Sequence, residues 1–284
     1  MPLSNTTTYI PSRDITWDFE GQVVLVTGAA HGQGASHAKA FAEAGANLVV
    51  SDIAGEMKYV EYPLGSISEL EDVAQEVRDM GGECLSSVCD VRQPDQVKSL
   101  GDRTMEKFGR IDVLINNAGI GTIAKVVDMP KEKWDETVET DLSGCFYFCK
   151  YVAPHMIAAR SGRIITTGST QSIGGANWLA HYTAAKHGLR GLVQGFATEL
   201  APHGVTINLI CPTAVDTSIN QPFTDPRFDA WNQEAARLVG AWNLFQNEMM
   251  HEREVTEGML WLASKEAAGF NGMTLMVDAG CLCK

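Results

Sequence analysis

Three residues in the second half of the chain have the types and the spacing needed for proton transfer. Tyr182 and Lys186 lie four positions apart in a stretch with helical periodicity, so one helix turn places both side chains on the same face. Ser169 lies thirteen positions before Tyr182, after a predicted strand, and a strand-to-helix loop can bring it beside the phenol. Taken alone, such a pair is usually surface-exposed and such a serine is usually a helix cap, so the interpretation depends on the rest of the chain.

The chemistry that this set supports is removal of a proton from an alcohol while a hydride leaves its carbon. A free tyrosine has a pKa of about 10, which is too high for an efficient base near neutral pH. A lysine cation about 4 Å away contributes roughly 4 kcal/mol at an effective dielectric of 20, or about three pKa units. The sequence therefore predicts that Lys186 lowers the pKa of Tyr182 and that Ser169 donates a hydrogen bond to the developing alkoxide.

A glycine-rich turn near the start of the chain has the features of a phosphate-binding loop. The segment reads Thr-Gly-Ala-Ala-His-Gly-Gln-Gly and joins a predicted strand to a predicted helix. Glycine lets the backbone approach a ligand closely, and the helix N-terminus offers unpaired N–H groups to a pyrophosphate. The spacing differs from the common GxGxxG fingerprint, and a bare glycine cluster can also be a simple tight turn. The predicted cofactor contacts in this segment are Gly28, His31, Gly32, Gln33 and Gly34.

An acidic residue ends the second predicted strand. Asp52, with Ile53 beside it, lies 24 positions after Gly28, where a carboxylate can accept hydrogen bonds from ribose hydroxyls. The same carboxylate would repel a 2′-phosphate, and no Arg or Lys occupies positions 29–34 or 53–55 to offset that repulsion. The sequence therefore favours NAD over NADP as the cofactor, unless Asp52 only caps a loop.

Polar residues also follow the third and fourth predicted strands, at the edge where open parallel sheets bind ligands. Asp90 is placed to accept from an adenine amino group, with Val91 packed on the ring. The stretch Asn117-Ala118-Gly119 follows the fourth strand. Alone, either group is as typical of ordinary turns as of a cofactor site.

The elements that must position these residues alternate between strands and helices. Such βαβ units form right-handed crossovers, so the expected fold class is α/β, a single Rossmann-type doubly wound parallel sheet with helices on both faces. The predicted strands are 22–27, 47–51, 84–89, 113–116, 163–167, 205–210 and 274–277. The predicted helices are 35–44, 69–80, 95–108, 131–159, 182–201 and 252–264.

The predicted organisation is an N-terminal arm, residues 1–19, and one dinucleotide-binding and catalytic domain, residues 20–284. The arm is polar and unpatterned, so we expect it to fray or to dock on a neighbour. Residues 212–250 break the alternation, contain five aromatic residues and are expected to cover the substrate.

Composition narrows the classes of partner. The chain has 284 residues, 45% of them hydrophobic, and a formal net charge of −13, which disfavours nucleic acid and acidic membrane surfaces. No apolar run has membrane-spanning length, and the first residues do not resemble a signal peptide. The seven cysteines lack zinc-site spacing, so we expect free thiols rather than a metal or redox site, and a cytoplasmic protein.

Taken in order, Thr-Gly-x3-Gly-x-Gly, Asn-Asn-Ala-Gly, a serine and Tyr-x3-Lys resemble the short-chain dehydrogenases/reductases, over about residues 20–280. The resemblance implies that Tyr182 is the general acid/base, that Lys186 binds the nicotinamide ribose and lowers the tyrosine pKa, and that Ser169 holds the substrate oxygen. The further cofactor contacts that it implies are Asn117, Pro212, Val215 and Thr217. It also implies a homotetramer or dimer, with interface elements near residues 95–108, 131–159 and 277–281.

One residue departs from the usual pattern of this family. Asp141 occupies the position of an asparagine that the family uses in a water-linked proton relay to the lysine. A carboxylate can still hold water, and it can also raise the pKa of Lys186 and partly counter the positive field on Tyr182. Asp141 is therefore a candidate fourth catalytic residue.

A second departure is extra length after the second strand, residues 55–67, called the insert below. It resembles the carveol-dehydrogenase-like, mycofactocin-associated branch of the family, which implies tightly held NAD recycled by an external redox partner. On that reading the insert covers the adenosine half of the cofactor, but an inert surface loop is an equal alternative.

The substrate wall is expected from residues 120–123, 172–179 and 212–250. Since no Arg or Lys lies in 171–181 and only Arg227 and Arg237 lie in 212–250, an anionic substrate would lack a convergent basic group. A bulky apolar cyclic alcohol or ketone, of terpenoid or steroid type, fits better, unless these aromatics serve packing or a subunit interface. The predicted substrate contacts are Ser169, Gln171, Trp178 and Tyr182, and the other large apolar residues are Leu179, Phe223, Phe228, Trp231, Trp242, Leu244 and Phe245.

The expected function is therefore an NAD-dependent alcohol dehydrogenase or carbonyl reductase. The same scaffold also supports isomerases and dehydratases, because a fold does not determine a reaction. A non-catalytic NAD sensor would need only the glycine turn and Asp52, and the intact set of Ser169, Tyr182 and Lys186 argues against it.

Overall fold

Seven parallel strands form one sheet in a computed structural model of the chain, which describes residues 15–220, 226, 229–231, 233–234 and 249–283. The strands are β1 (Val23–Thr27), β2 (Asn47–Asp52), β3 (Cys84–Val88), β4 (Val113–Asn116), β5 (Gly162–Thr167), β6 (Val205–Pro212) and β7 (Thr274–Val277). Their order across the sheet is β3-β2-β1-β4-β5-β6-β7. The predicted α/β, doubly wound parallel architecture is confirmed.

The helices cover both faces of this sheet, as βαβ crossovers require. They are α1 (Gly32–Glu43), α2 (Ile67–Asp79), α3 (Pro94–Phe108), α4 (Lys131–Val138), α5 (Gly144–Ala159), α6 (Ala180–Leu200) and α7 (Glu252–Ala263). Successive strand residues point to opposite faces. Val24 and Val26 accordingly pack with the apolar residues of α1, α2 and α7, and Val23 and Leu25 pack with those of α3, α5 and α6.

One predicted helix is interrupted. The sequence predicts a continuous helix over 131–159, whereas the structure has a π-helical turn, Glu139–Ser143, between α4 and α5. Nothing in residues 139–143 breaks the helical pattern of the sequence, and the wider turn contains the buried Asp141. The other boundaries differ from the predicted ones by at most three residues, the start of α1 being the largest difference.

The end of the predicted N-terminal arm packs on its own chain. Phe19 is 1% exposed, and its ring meets the Phe41 ring edge-on at 4.8 Å. The Trp17 indole N–H donates to Glu257 on α7 at 3.1 Å. Trp17 and Phe19 therefore pack in the core, and the first fourteen residues of the predicted arm lie outside the described residues.

Three general features bear on partners and chemistry. No helix in the described ranges combines the length and the apolar character that a membrane span needs. All seven cysteines are unpaired thiols, six of them buried and only Cys283 exposed. Within the same ranges, no three His, Cys, Asp or Glu side chains gather as a metal site would require.

Candidate active site

One cavity runs along the carboxyl ends of the strands, from the turn after β1 to the start of α6. Parallel strands all end at the same edge of a sheet, so the loops that follow β1, β2, β3, β4, β5 and β6 all contribute to its wall. Most of the residues expected from the sequence to contact a cofactor line it: Gly28, His31, Gly32, Gln33, Asp52, Ile53, Asp90, Val91, Asn117, Ala118, Gly119, Tyr182, Lys186, Pro212, Val215 and Thr217.

The glycine-rich turn is shaped by close backbone contacts. Gly28 and Gly32 have φ of +65° and +57°, the left-handed region that favours glycine. Gly34 does not line the cavity; a Cβ there would lie 2.0 Å from the Gly28 carbonyl oxygen, so only glycine lets α1 pack against the turn. The N-cap residue of α1, His31, makes no side-chain cap hydrogen bond, and His31, Gly32 and Gln33 line the cavity at this end of the helix.

Thr27 and Asn117 connect the β1 turn to the loop after β4. The Thr27 hydroxyl accepts from the backbone N–H groups of Asn117 and Ala118, both at 3.0 Å. The Asn117 side-chain amide donates to the carbonyls of Thr27 and Gly28, at 3.1 and 3.3 Å. The Asn-Ala-Gly stretch therefore fixes the conformation of the glycine turn through these hydrogen bonds, in addition to lining the cavity.

Asp52 and Asp90 are acidic residues that line the cavity at the end away from Tyr182. Asp52 accepts from the backbone N–H of Ala30 at 3.1 Å and of Ala54 at 3.0 Å, so its carboxylate is oriented by both the glycine turn after β1 and the turn after β2. Asp90 is bound through both oxygens by Arg92, at 2.9 and 2.7 Å. An adenine amino group would have to share the Asp90 oxygens with that guanidinium.

Ser169, Tyr182 and Lys186 meet at the other end of the cavity. Ser169 follows β5, accepts from the Gln171 N–H at 3.2 Å, and lies close enough to Tyr182 for its hydroxyl to lower the pKa of the phenol. Tyr182 and Lys186 lie one turn apart on α6, with the lysine Nζ 5.3 Å from the centre of the tyrosine ring. The buried Lys186 ammonium donates to the Thr167 carbonyl at 3.1 Å, a partner that no sequence motif indicates.

Asp141 is in direct contact with the lysine. It is fully buried in the π-helical turn, with Oδ2 3.3 Å from Lys186 Nζ and Oδ1 accepting from the Ile120 N–H at 2.8 Å. Burial raises the pKa of Asp141, while Lys186 and the Ile120 N–H lower it, and the net direction is upward. Burial lowers the pKa of Lys186, but Asp141 and Tyr182 raise it by more, so the lysine remains a cation.

Lys186 lowers the pKa of Tyr182, as the sequence predicts, but the pKa is not lowered overall. Loss of water around the phenol raises the pKa of Tyr182, Lys186 lowers it, Asp141 raises it, and the net direction is upward. Lys186 acts in the expected direction, but an estimate from one cation at one distance omits both the burial and the neighbouring carboxylate. The expected effect of Asp141 on both neighbours has the right sign.

Trp178 has a different position from the one expected. Its indole does not belong to the cavity wall in the described part of the chain; Lys125 Nζ lies 4.9 Å from its ring, and it packs with Leu179 and Trp231. Leu179 and Gln171 do line the cavity. Trp231 is buried, with its indole N–H donating to the Asn177 carbonyl at 2.9 Å. The other expected wall residues of 212–250 lie outside the described residues: Phe223, Arg227, Phe228, Arg237, Trp242, Leu244 and Phe245.

The insert reaches farther than the adenosine half of the cavity. Met57, Tyr62 and Leu64 line the cavity, and the Tyr62 hydroxyl accepts from the Gly121 N–H at 2.9 Å, on the loop after β4. The Tyr59 N–H donates to Glu136 on α4 at 3.0 Å. The length of the insert could be read from the sequence, but its path across the cavity could not, since neither contact has a local sequence signal.

Comparison with known proteins gives a consistent result. Residues 22–227 match the short chain dehydrogenase family. A (−)-trans-carveol dehydrogenase of Rhodococcus erythropolis is 34% identical, over 93% of this chain and 99% of that protein. A carveol dehydrogenase from Mycobacterium avium, solved in complex with NAD, superposes with a TM-score of 0.89 at 31% identity, over 95% of this chain and 100% of that one. A short chain dehydrogenase from Mycobacterium paratuberculosis, solved bound to NAD, has a TM-score of 0.88 at 26% identity, over 94% and 100%.

Proposed function

The chain belongs to the short-chain dehydrogenase family, and from that premise we propose that it interconverts a bulky apolar secondary alcohol and its ketone with NAD as cofactor. The observation that carries the proposal is the meeting of Ser169, Tyr182 and Lys186 in the same cavity as the glycine turn. The carveol dehydrogenases among its relatives support the cyclic alcohol as substrate class.

The cavity fits NAD on its own geometry. A Cβ on Gly34 would occupy the space of the glycine turn, and the N-cap residue of α1 makes no side-chain cap hydrogen bond. The backbone N–H groups of this turn and of the start of α1 would therefore bind a pyrophosphate. Asp52 would hold the ribose hydroxyls. Among the described residues of the wall, Lys186 is the only Lys or Arg, and it lies at the opposite end, so nothing there would neutralise a 2′-phosphate. When bound, NAD accepts or returns the hydride; the proton is handled by the protein.

Tyr182, in its deprotonated form, is proposed to take the alcohol proton on its phenolate oxygen and, in the reverse direction, to donate that proton from its hydroxyl. Ser169, oriented by the Gln171 N–H, donates to the substrate oxygen as negative charge develops there. Lys186 stays charged beside both and stabilises the deprotonated phenol. Asp141 is proposed to keep that lysine charged and fixed, as a positioning residue at 3.3 Å from its ammonium.

An apolar substrate follows from the wall next to Tyr182. Ile120, Ile123, Leu179 and Ile219 line that end, and the one described cation there is already engaged by Thr167 and Asp141. A carboxylate or phosphate on the substrate would find no basic partner among the described residues. The test is the change in nicotinamide absorbance with purified protein, comparing cyclic monoterpene alcohols and ketones with polyols of the size of threitol. A preference for the polyols would overturn the substrate class, and a wild-type preference for NADP would overturn the cofactor.

We further propose that the insert slows exchange of the cofactor, so that an external redox partner can reoxidise it in place. Its support is the path of residues 55–67 over the cavity, held by the Tyr59 and Tyr62 contacts. The protein should then purify with nicotinamide absorbance that persists through dialysis. Rapid exchange with labelled free NAD would contradict this part of the proposal and leave the reaction class standing.

A homotetramer or dimer is proposed from an exposed aromatic face on α5 and α6. Phe146 is 39% exposed, and its ring centre lies 6.4 Å from that of Phe196 and 5.6 Å from that of Tyr147. Contiguous apolar side chains at a surface mark an interaction site when the exposed patch is large, and Phe146 would be the exposed centre of such a patch. Light scattering after gel filtration measures the mass directly, and Phe146→Glu should lower it; a monomeric wild type would contradict the proposal.

A further inference from the structure

The loop after β4 is held in place residue by residue. This stretch, residues 120–124, is called the wall loop below, because three of its first four residues line the substrate end of the cavity. Each of its five residues makes a hydrogen bond to a different part of the chain. The partners are Asp141 for Ile120, Tyr62 for Gly121, His181 for Thr122, Lys133 for Ile123 and the Trp178 carbonyl for Ala124. Such a loop is preorganised rather than shaped by its ligand.

Two of these bonds lead directly to the reacting groups. The Ile120 N–H donates to Asp141, which is paired with Lys186. The Thr122 hydroxyl meets the ring of His181 at 2.6 Å, and His181 immediately precedes Tyr182 on α6. Any displacement of the wall loop therefore disturbs the base and the lysine as well as the substrate surface.

The Tyr62 bond is different in kind, because its acceptor and donor lie on segments that follow β2 and β4, the strands on either side of β1. The insert leaves β2 and returns close to the glycine turn, where a Cβ on Gly65 would lie 2.5 Å from the Ala30 side chain. Between these ends, the buried Tyr62 hydroxyl crosses to the Gly121 N–H at 2.9 Å. Tyr62 is also close enough to Asp141 and Tyr182 for their charges to act on it.

We propose that Tyr62 is a positioning residue that fastens the wall loop and the insert to each other, so that the substrate surface and the cofactor cover open together. With the Gly121 N–H bonded to Tyr62, the wall loop faces the substrate and the insert spans the cavity. When that hydrogen bond breaks, the wall loop and the insert each lose a contact that holds them in place. The substrate part of this inference rests on the proposed function; the link between the two segments does not.

The test is Tyr62→Phe, which keeps the ring in its packing and removes only the oxygen that accepts from Gly121. Tyr59→Phe is the matched control, since it makes the same change on the same insert, where the bond to Glu136 comes from the backbone N–H and is retained. Hydrogen exchange of the peptide that spans the wall loop measures its opening. The release of bound NADH, followed by the loss of its fluorescence after a chase with excess NAD, measures the opening of the cover.

For Tyr62→Phe, we expect exchange in the wall loop and release of NADH to become faster by about tenfold each, because a partly buried N–H loses its acceptor. For a cyclic alcohol substrate, KM should rise more than kcat falls, since Ser169, Tyr182 and Lys186 are unchanged. Tyr59→Phe should match the wild type in all three measurements. Wall-loop exchange or NADH release that is the same in Tyr62→Phe and Tyr59→Phe would overturn the link. If the wild type instead binds NADH but turns over no alcohol or ketone, the proposed function fails, while exchange and release still decide this inference.

Discussion

Around the glycine turn the fold depends on backbone atoms packed at close range, whereas near Tyr182 buried ionisable side chains meet within an apolar wall. In the first region, called the nucleotide half here, the tight contacts are Gly34 against the Gly28 carbonyl and Gly28 against Ala118. In the second, the catalytic half, Lys186, Asp141 and Tyr182 form a coupled group whose protonation depends on burial and on each other. The nucleotide half is therefore sensitive to added atoms, and the catalytic half is sensitive to changed charge.

The largest effect should come from removing the phenol oxygen in the catalytic half. Tyr182→Phe should lower turnover by about 10²- to 10⁴-fold, the range for loss of a general acid/base, because no other described residue can take the alcohol proton at that place. Affinity for NADH, measured by fluorescence titration, should stay within about twofold of the wild type, since the nucleotide half is unchanged. Retained turnover would refute the assignment of the base.

In the nucleotide half, the largest effect should come from a substitution that adds one carbon atom. Gly34→Ala should weaken NADH binding by about a hundredfold, because the new Cβ would lie 2.0 Å from the Gly28 carbonyl and must displace the turn. Gly195→Ala on α6, where a Cβ meets nothing within 4 Å, is the matched control and should bind NADH normally. Equal affinities in the two variants would remove the distinction between the halves.

A smaller effect should come from changing one charge in the catalytic half. Asp141 raises the pKa of Tyr182, so Asp141→Asn should lower that pKa and move the rising limb of the pH–rate profile for alcohol oxidation to lower pH, by about one unit. The amide oxygen can still accept from Ile120. Glu139→Gln makes the same change in charge at an exposed position of the same turn and should leave the profile in place. An unchanged profile in Asp141→Asn would show that its side-chain charge has no role.

The smallest expected effect is on stability, and both halves share it. Burial lowers the pKa of His37, on α1, to about 3, and burial and Lys133 lower that of His181 to about 4. Below about pH 6.5 the unfolded chain takes up protons that the folded chain does not. The free energy of unfolding therefore falls as the pH is lowered, by about 1.4 kcal/mol per pH unit for each histidine. Urea unfolding at pH 7, 6 and 5 measures this slope.

Substitution of one histidine separates the two contributions. His181→Gln should reduce the slope by the share of one histidine, while His187→Gln, at an exposed position on the same helix, should leave it unchanged. A slope that is the same in all three proteins would mean that His181 is not buried in its neutral form.

The sequence predicts most of the fold because its signals are local. All seven strands and the crossover helices follow from apolar runs and helical spacing, and Tyr182 and Lys186 share a face because they are one turn apart. The predictions fail where a contact joins distant segments. The π-helical turn within the predicted helix 131–159, the packing of Trp178 away from the cavity wall and the path of the insert have no local signal.

The sequence by itself determined which chemical groups are present and which of them are neighbours along a turn or helix, including the glycine turn and the Tyr-x3-Lys pair. Only the tertiary structure decided that the Asp141 carboxylate lies 3.3 Å from Lys186, that Tyr62 reaches Gly121, and that the pKa of Tyr182 rises. Spacing along the chain determines distances within one element. Burial and contacts between elements depend on how the crossovers pack, and these set the charge state of a site.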